Sequence, residues 1–414
     1  MIYFKNLEVI YPGNEFHGKR IDLLVKDGKL YPNGPNSENA EEINAAGLMV
    51  SPGWLDMRSH LCDPGLEHKE DLLSGAESAM AGGFTGLGLL PNTEPVIDGK
   101  NGIAYVLNRT RFLPLDVYPY GAVTTGTKGK QLSEMYDMAE AGAVAFTDGD
   151  APIWHSGILL KSLQYVQPIN KLIINKAFDP YLSKEGVVHE GKNSTSAGLK
   201  GLPAIAESIS IQKNLEILRY SGGKIHFSLV STKEAVELIR KAKNEGLNIT
   251  CDVAVHNLVL NDETIGYFDT NYKVFPPLRS EEHRKALIKG VKDGTIDCIV
   301  TDHHPQDIES KRLEYDLAEF GIIGHQTCYA LLDTILEDSI IVEKIALNPR
   351  KVLGLELPAF KEGADANLTI YSKARWTFNA KSNQSKSFNS PYYNQELNGK
   401  AHWVINKNQI KKLD

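Results

Sequence analysis

Residues 51–65 read Ser-Pro-Gly-Trp-Leu-Asp-Met-Arg-Ser-His-Leu-Cys-Asp-Pro-Gly and close an apolar run, as a strand leaving a core does. Within this stretch Arg58 and His60 stand two apart, and side chains two apart on a strand share a face. Two histidines so placed could grip one metal ion. Arginine stays protonated and has no lone pair to give. The spacing is that of a metal site, but the residue types are not. Asp302 is a carboxylate that its position buries, so something must neutralise it. Asp148-Gly149-Asp150 is a turn signal as well as a source of an acid. His303 and His304 are adjacent, so a strand points them oppositely and they are not expected to share a metal. His226 is expected to face away from Leu229. His155 and His189 are expected on surface loops, and His60 by itself to be a hydrogen-bonded barrel histidine.

These residues need elements to position them. Eight strand-like segments run through the middle of the chain: Leu48–Met57, Thr85–Leu90, Val117–Val123, Ala143–Phe146, Leu172–Asn175, Ile225–Val230, Ile249–Val255 and Cys298–Thr301. Helix-like stretches such as Glu70–Ala81, Lys233–Asn244 and Glu281–Val291 follow most of them. This alternation predicts a closed parallel (β/α)8 TIM-like barrel. An open doubly wound sheet is the alternative, weakened because no Gly-x-Gly-x-x-Gly follows the first strand. In such a barrel the functional groups gather at the C-terminal ends of the strands. Those ends carry Arg58, His60, Asn92, Thr124, Asp148, Lys176, Leu229, His256 and Asp302, which should line one mouth. Both chain ends are turn-rich and strand-like, with Ile21–Val25 and Gly28–Tyr31 at one end and Ala366–Tyr371 and Ala401–Asn406 at the other. They are expected to build one small β-sandwich module from residues 1–50 and 358–414, with the barrel in 51–357. The Asn-, Ser- and Lys-rich segment Lys373–Lys400 is expected to be a long loop.

The chain's 414 residues exceed one small core, and its 42% hydrophobic and 23% charged composition is that of an ordinary soluble globular protein. A net charge of -7 without any Lys/Arg block argues against a nucleic-acid partner. Cys62, Cys251, Cys298 and Cys328 form no CxxC and are expected to be free thiols in a reducing cytosol. No apolar stretch is long enough to span a bilayer, and the first residues lack the apolar core of a signal peptide. A cytoplasmic location is therefore expected.

Longer motifs join these residues. They include Gly75–Thr85 with Leu90-Pro91-Asn92-Thr93-Glu94-Pro95-Val96-Ile97-Asp98, and Gly198-Leu199-Lys200-Gly201-Leu202-Pro203 with Ala206-Glu207. Val230-Ser231-Thr232-Lys233, Pro276-Pro277-Leu278-Arg279-Ser280, Asp293-Gly294-Thr295-Ile296-Asp297, Thr301-Asp302-His303 and Gly363-Ala364-Asp365-Ala366 continue them. Together, over nearly the whole chain, they resemble dihydroorotase of the cyclic amidohydrolase superfamily. The resemblance implies a barrel-mouth metal site, usually zinc, whose bound hydroxide attacks the ring amide of dihydroorotate while an aspartate of the last strand shuttles the proton. Asp302 matches that aspartate. The family's ligand positions fall here on Arg58, His60, Asp148, Lys176, Leu229 and Asp302. Leucine cannot bind a metal, arginine has no free lone pair, and lysine binds only when deprotonated or carboxylated. The substrate positions depart as well. The carboxylate-clamping arginine is Cys62, the asparagine before the Pro-Pro pair is Phe275, and the histidine four residues after the last aspartate is Gln306. Asn92 is retained, and His256 at the seventh strand end could still touch a small molecule.

The resemblance with these departures implies a non-catalytic homologue that needs no cofactor, with Asp302 retained as a vestige. Arg58 and Lys176 are expected to lie where metal ions sit in active relatives, pairing with Asp302 and Asp148. Inactive members of the family can serve as structural partners of aspartate transcarbamoylase in pyrimidine synthesis, and such barrels often pair as homodimers. One alternative is an active dihydroorotase, or a hydantoinase- or allantoinase-like enzyme, with a single zinc on His60, Asp148 and Asp302. Another is a binding protein that grips an acidic ligand with Asn92, His256 and Arg58.

Overall fold

The structure is a computed structural model that describes residues 1–36 and 39–413. Eight strands, numbered here along the barrel, carry the site: β1 (Trp54–Ser59), β2 (Phe84–Leu89), β3 (Asp116–Pro119), β4 (Ala145–Phe146), β5 (Leu172–Asn175), β6 (Ile225–Phe227), β7 (Ile249–Ala254) and β8 (Cys298–Val300). β1 to β3 pair in parallel, and so do β4 to β8. Two seams close the ring: Gly121 bridges to Phe146, and Ser59 bridges to His303. The second seam is tied by the His60 N–H donating to the His303 carbonyl at 2.9 Å. Every residue of β1 and β2 is buried, as parallel strands covered on both faces require. Leu55, Met57, Tyr120, Ile174, Leu229 and Val300 fill the barrel interior. Leu87, Val253 and Ile299 on the outer faces pack against helix residues such as Ala76, Leu215 and Ile239.

Each segment expected from the sequence overlaps a barrel strand, but the first one divides. Met49–Pro52 belongs to the end module, where it pairs with Leu368–Phe378 and Ile2–Val9. β1 starts only after Gly53, where a Cβ would lie 2.0 Å from Thr85 Oγ1, so the close approach of strands excludes a side chain. The helix Lys233–Asn244 has the expected bounds, with Thr232 accepting from the Ala235 N–H at its start and Ala235, Val236, Ile239 and Ala242 on the buried face. The helix Leu72–Ala81 begins later than expected because Asp71 and Ser74 form a capping box. Glu281–Lys292 follows the expected course.

Both chain ends contribute to a single eight-stranded sheet, from Ile2–Val9 to Gln409–Lys412. Phe4, Leu23, Val25, Leu368, Ile370 and Ile405 form its core. The expected loop over Lys373–Lys400 is corrected. Strands Leu368–Phe378 and Gln395–Asn406 run well into it and pair antiparallel with Trp376 opposite Leu397. Its polar residues line the exposed side of this hairpin, which composition alone reads as loop. The connecting residues 379–394 fold back on the barrel. There Ser385 Oγ and the Lys386 N–H donate to Glu70, and Asn389 Nδ2 donates to the His304 carbonyl at 2.9 Å. The four cysteines are buried and unbridged. Among the described residues no helix is long and apolar enough to cross a membrane.

Candidate active site at the barrel mouth

The strand ends deliver a four-membered ionic cluster. Arg58, at the end of β1, is buried, and its Nε donates to Asp302 Oδ1 at 2.8 Å while Nη2 donates to Asp150 Oδ1 at 2.8 Å. Lys176, just past β5, donates from Nζ to the same Asp150 oxygen at 3.1 Å. Two cations thus meet two carboxylates. Burial works against the Arg58 charge, and Asp302 and then Asp150 more than restore it. Burial lowers the Lys176 amine, and Asp150 opposes this. Burial pushes the Asp150 carboxyl up, but Lys176 and then His60 outweigh it and hold the group well below its ordinary range.

Beside this cluster His60 and His304 stack with ring centroids 3.9 Å apart. His60 Nε2 lies 3.5 Å from Asp150 Oδ2 and has no hydrogen-bond partner. Burial, then His60, pushes His304 well below the usual histidine range. His60, Asp150 and His304 offer ligand atoms within 4.8 Å of one another. As arranged, this donor set does not suit a dication. Asp150 already takes two cationic donors, the sixth-strand position is Leu229, and an ion there would face the fixed positive charges of Arg58 and Lys176.

The expected partner Asp148 is corrected to Asp150. Asp148 is turned away into the β3–β4 seam, where Thr124 donates to it from N–H at 2.8 Å and Oγ1 at 2.6 Å. Gly149, at φ 64°, reverses the chain so that the second acid reaches the mouth. Asn92 secures this turn. Its Nδ2 donates to the Asp148 carbonyl at 3.2 Å and its Oδ1 accepts from the Asp150 N–H at 3.3 Å, so its amide is committed to the protein.

Aromatic side chains pack against the Lys176 edge of the cluster. The Phe275 ring sits 4.7 Å from Lys176 Nζ. It packs 5.0 Å from Phe178 and 5.6 Å from Phe320. Gln306 braces Phe320, donating from Nε2 to its carbonyl at 2.8 Å, and accepts from Lys69 Nζ at 2.8 Å. Cys62 is buried, and burial pushes its thiol up to about 12, so it stays protonated. His256 Nε2 lies 4.0 Å from Asp302 Oδ2 and neither ring nitrogen has a partner. Leu229, Asp302 and Cys62 all adopt positive φ, at 58°, 48° and 58°. Leucine is among the residues for which this region is uncommon.

The two adjacent histidines diverge as expected. His304 faces the mouth, while His303 stacks on His325 at 3.7 Å and lies 3.5 Å from Glu70. His226 points elsewhere too, bonded to Asp252 at 2.8 Å and Thr250 at 2.8 Å. His155 is exposed and accepts from the Ile158 N–H at its helix start. His189 is corrected: it is buried beside Arg279, whose Nη1 lies 3.1 Å away, because the strand Val188–His189 pairs inward with Gly201–Leu202. Asp150 and His304 were missed as site residues. The second acid of the Asp-Gly-Asp turn, and the rule that one of two adjacent histidines must face inward, were the available signals.

Residues 47–235 match a family model described as dihydro-orotase-like. The dihydroorotase of Geotalea daltonii is 38% identical over 414 residues, covering 98% of this chain and 97% of that protein. That of Pelotomaculum thermopropionicum is 42% identical over 357 residues, covering 84% of each chain. Among solved structures, L-hydantoinase (dihydropyrimidinase) from Arthrobacter aurescens superposes with a TM-score of 0.86 at 23% identity, covering 100% of this chain and 96% of that one. A D-hydantoinase follows with a TM-score of 0.83 at 19% identity, covering 100% and 95%. The structural likeness shows the amidohydrolase-type barrel, and the sequence relatives show the family.

Proposed function

Because this chain belongs to the dihydroorotase family of cyclic amidohydrolases, we propose that it serves pyrimidine biosynthesis as a non-catalytic homologue, a structural or regulatory partner of aspartate transcarbamoylase. The observation that carries this reading is the Arg58 guanidinium held between Asp302 and Asp150 at 2.8 Å each. The aspartate that would move a proton is an ion-pair partner, and the guanidinium and Lys176 supply the positive charge a metal would bring. A neutral imidazole or a carboxylate can ligate a metal, but a guanidinium cannot. The buried, unbridged cysteines support a reducing compartment, hence the cytoplasm. We extend the proposal to a homodimer as the form that meets the partner.

A second reading is favoured by one feature. His60 Nε2 lacks a partner within a His60–Asp150–His304 triad, which could hold one zinc if Arg58 and Lys176 swung aside. The chain would then be a working cyclic amidohydrolase acting on dihydroorotate or a hydantoin-like ring.

Elemental analysis after incubation with zinc and dialysis separates the two. The first reading expects far less than one equivalent per chain, no ring opening of dihydroorotate, and co-elution with aspartate transcarbamoylase on size exclusion. One equivalent of zinc, lost in Asp150→Ala and accompanied by turnover, would overturn it in favour of the second.

A further inference from the structure

We propose that a groove formed by the loops after β7 and β8 docks a basic amphipathic segment of a partner protein. The inference stands apart from both readings of the ionic cluster, because it uses none of that cluster's residues. The groove holds about 550 Å³, and Ile308 and Phe388 line it together with Asp269, Asp307 and Arg312. Both apolar side chains are exposed, as are Tyr267 and Phe268 of the first loop and Leu313 and Leu317 of the second. The two loops are fastened together. Thr270 Oγ1 donates to the Lys311 carbonyl at 2.6 Å, and the Phe268 and Tyr315 rings meet edge to face at 6.4 Å. Lys273 and Lys311 are buried, and their amino groups donate to the carbonyls of Asp316, Ala318, Glu319 and Gly321, which holds the second loop in one shape. Large apolar side chains exposed together on a fixed surface mark a contact site. The amides of Gln306 and Asn389 also line the groove, but they are engaged with the Phe320 carbonyl and Lys69, and with the His304 carbonyl and the Gln306 N–H. Apolar contact and charge are therefore its main offer.

Charge selects the occupant. Glu263, Glu309, Glu314, Asp316 and Glu319 of the two loops are exposed, and Arg312 is their one exposed cation. Among the described residues none of these six has an ion-pair partner, and the one such contact of the loops is His68 Nε2 to Asp307 Oδ2 at 3.8 Å. Counting the buried groups as well, the carboxylates of residues 262–273 and 307–320 still outnumber Lys273, Lys311 and Arg312. A second copy meeting this face across a two-fold axis would set acid against acid. Anionic lipid and nucleic acid are repelled for the same reason. A helix with Lys and Arg flanking its apolar stripe satisfies both features, seating aliphatic side chains between Ile308 and Phe388 and bringing cations to the unpaired carboxylates.

Fluorescence anisotropy of the full chain with a labelled helical peptide of leucine and lysine, its leucines on one face, tests this. Saturable one-to-one binding is expected, weakening as salt rises, and the matching peptide of leucine and glutamate should not bind. The Ile308→Ser/Phe388→Ser variant should bind at least tenfold more weakly. Glu309→Gln/Glu314→Gln should weaken binding severalfold and flatten its salt dependence. Glu356→Gln/Glu362→Gln, exposed residues outside both loops, makes the same change of charge and should bind as the wild type does. Near-ultraviolet circular dichroism checks that each variant is folded. Should the wall variant fail to fold, Leu317→Ser on the exposed loop should still weaken binding severalfold. Absence of saturable binding, equal binding of the acidic peptide, or equal weakening in the two glutamate variants would overturn the proposal. So would a dimer, seen by sedimentation, that Ile308→Ser/Phe388→Ser dissociates, because a second copy would then cover this face.

Discussion

At the barrel mouth Arg58 and Lys176 are buried and each meets a carboxylate within 3.1 Å, whereas in the end module Lys411 pairs with Glu77 while both stand partly in solvent. The difference follows from solvation. A cation taken out of water is tolerated only when paired and hydrogen-bonded, while a hydrated ammonium group keeps its water and gains little from a partner. Positive charge in the mouth is therefore structural, and the pair in the end module is dispensable.

The largest effect should come from breaking the matched set. Arg58→Met leaves Asp302 buried and unpaired, at a cost of about 3–5 kcal/mol, read by urea denaturation. Adding Asp302→Asn should recover part of that loss, because the stranded charge is gone. Strict additivity of the two substitutions would show that the pair is not coupled and that the mouth is merely open and wet.

Gly149→Ala should come next. It places a Cβ 1.6 Å from Asn92 Oδ1 at φ 64°, and so pushes Asp150 away from Arg58 and Lys176. A cost of about 1–3 kcal/mol is expected. In an Asn92→Ala background only the backbone part should remain, roughly 1 kcal/mol. An undiminished cost there would place the strain elsewhere.

Acid should unbalance the mouth. Burial pushes His256 down to about 4, and Asp302 only partly opposes it. The unfolded chain therefore binds this proton first, and stability falls as pH drops from about 6.5 toward 4. His189, pushed down to about 3 by burial, acts in the same direction. Asp56, raised to about 6 by burial, acts oppositely, since the folded state holds its proton more tightly. For His256 alone the loss between pH 7 and pH 5 is roughly 2 kcal/mol. His256→Gln should flatten the pH dependence of denaturation by that amount, and an unchanged slope would exclude His256 as its source.

The barrel was legible because its strands are continuous apolar runs followed by amphipathic helices, and their ends fixed Arg58, Lys176, Leu229 and Asp302 at one mouth. The exchange of Asp148 for Asp150 was not legible. An Asp-Gly-Asp sequence announces a turn, but which acid faces inward depends on the φ of Gly149 and on the grip of Asn92, a residue more than fifty positions away. His304 was hidden for a related reason. Asp302 adopts φ 48°, which breaks the strand phase, so alternation could say that the two histidines diverge but not which one enters. The hairpin inside Lys373–Lys400 was hidden by composition, because its exposed face is polar.

The smallest predicted effect sharpens the comparison most, because the same kind of contact is broken in a wet setting. Lys411→Gln removes the partner of Glu77, but both side chains stand partly in solvent, so the stranded carboxylate stays hydrated. Stability should fall by no more than about 1 kcal/mol, read by urea denaturation. The loss should shrink as salt rises toward physiological strength, where the Debye length is about 8 Å. A loss of several kcal/mol, insensitive to salt, would mean that Lys411, like Arg58, holds a desolvated partner, and the distinction between the two pairs would fail.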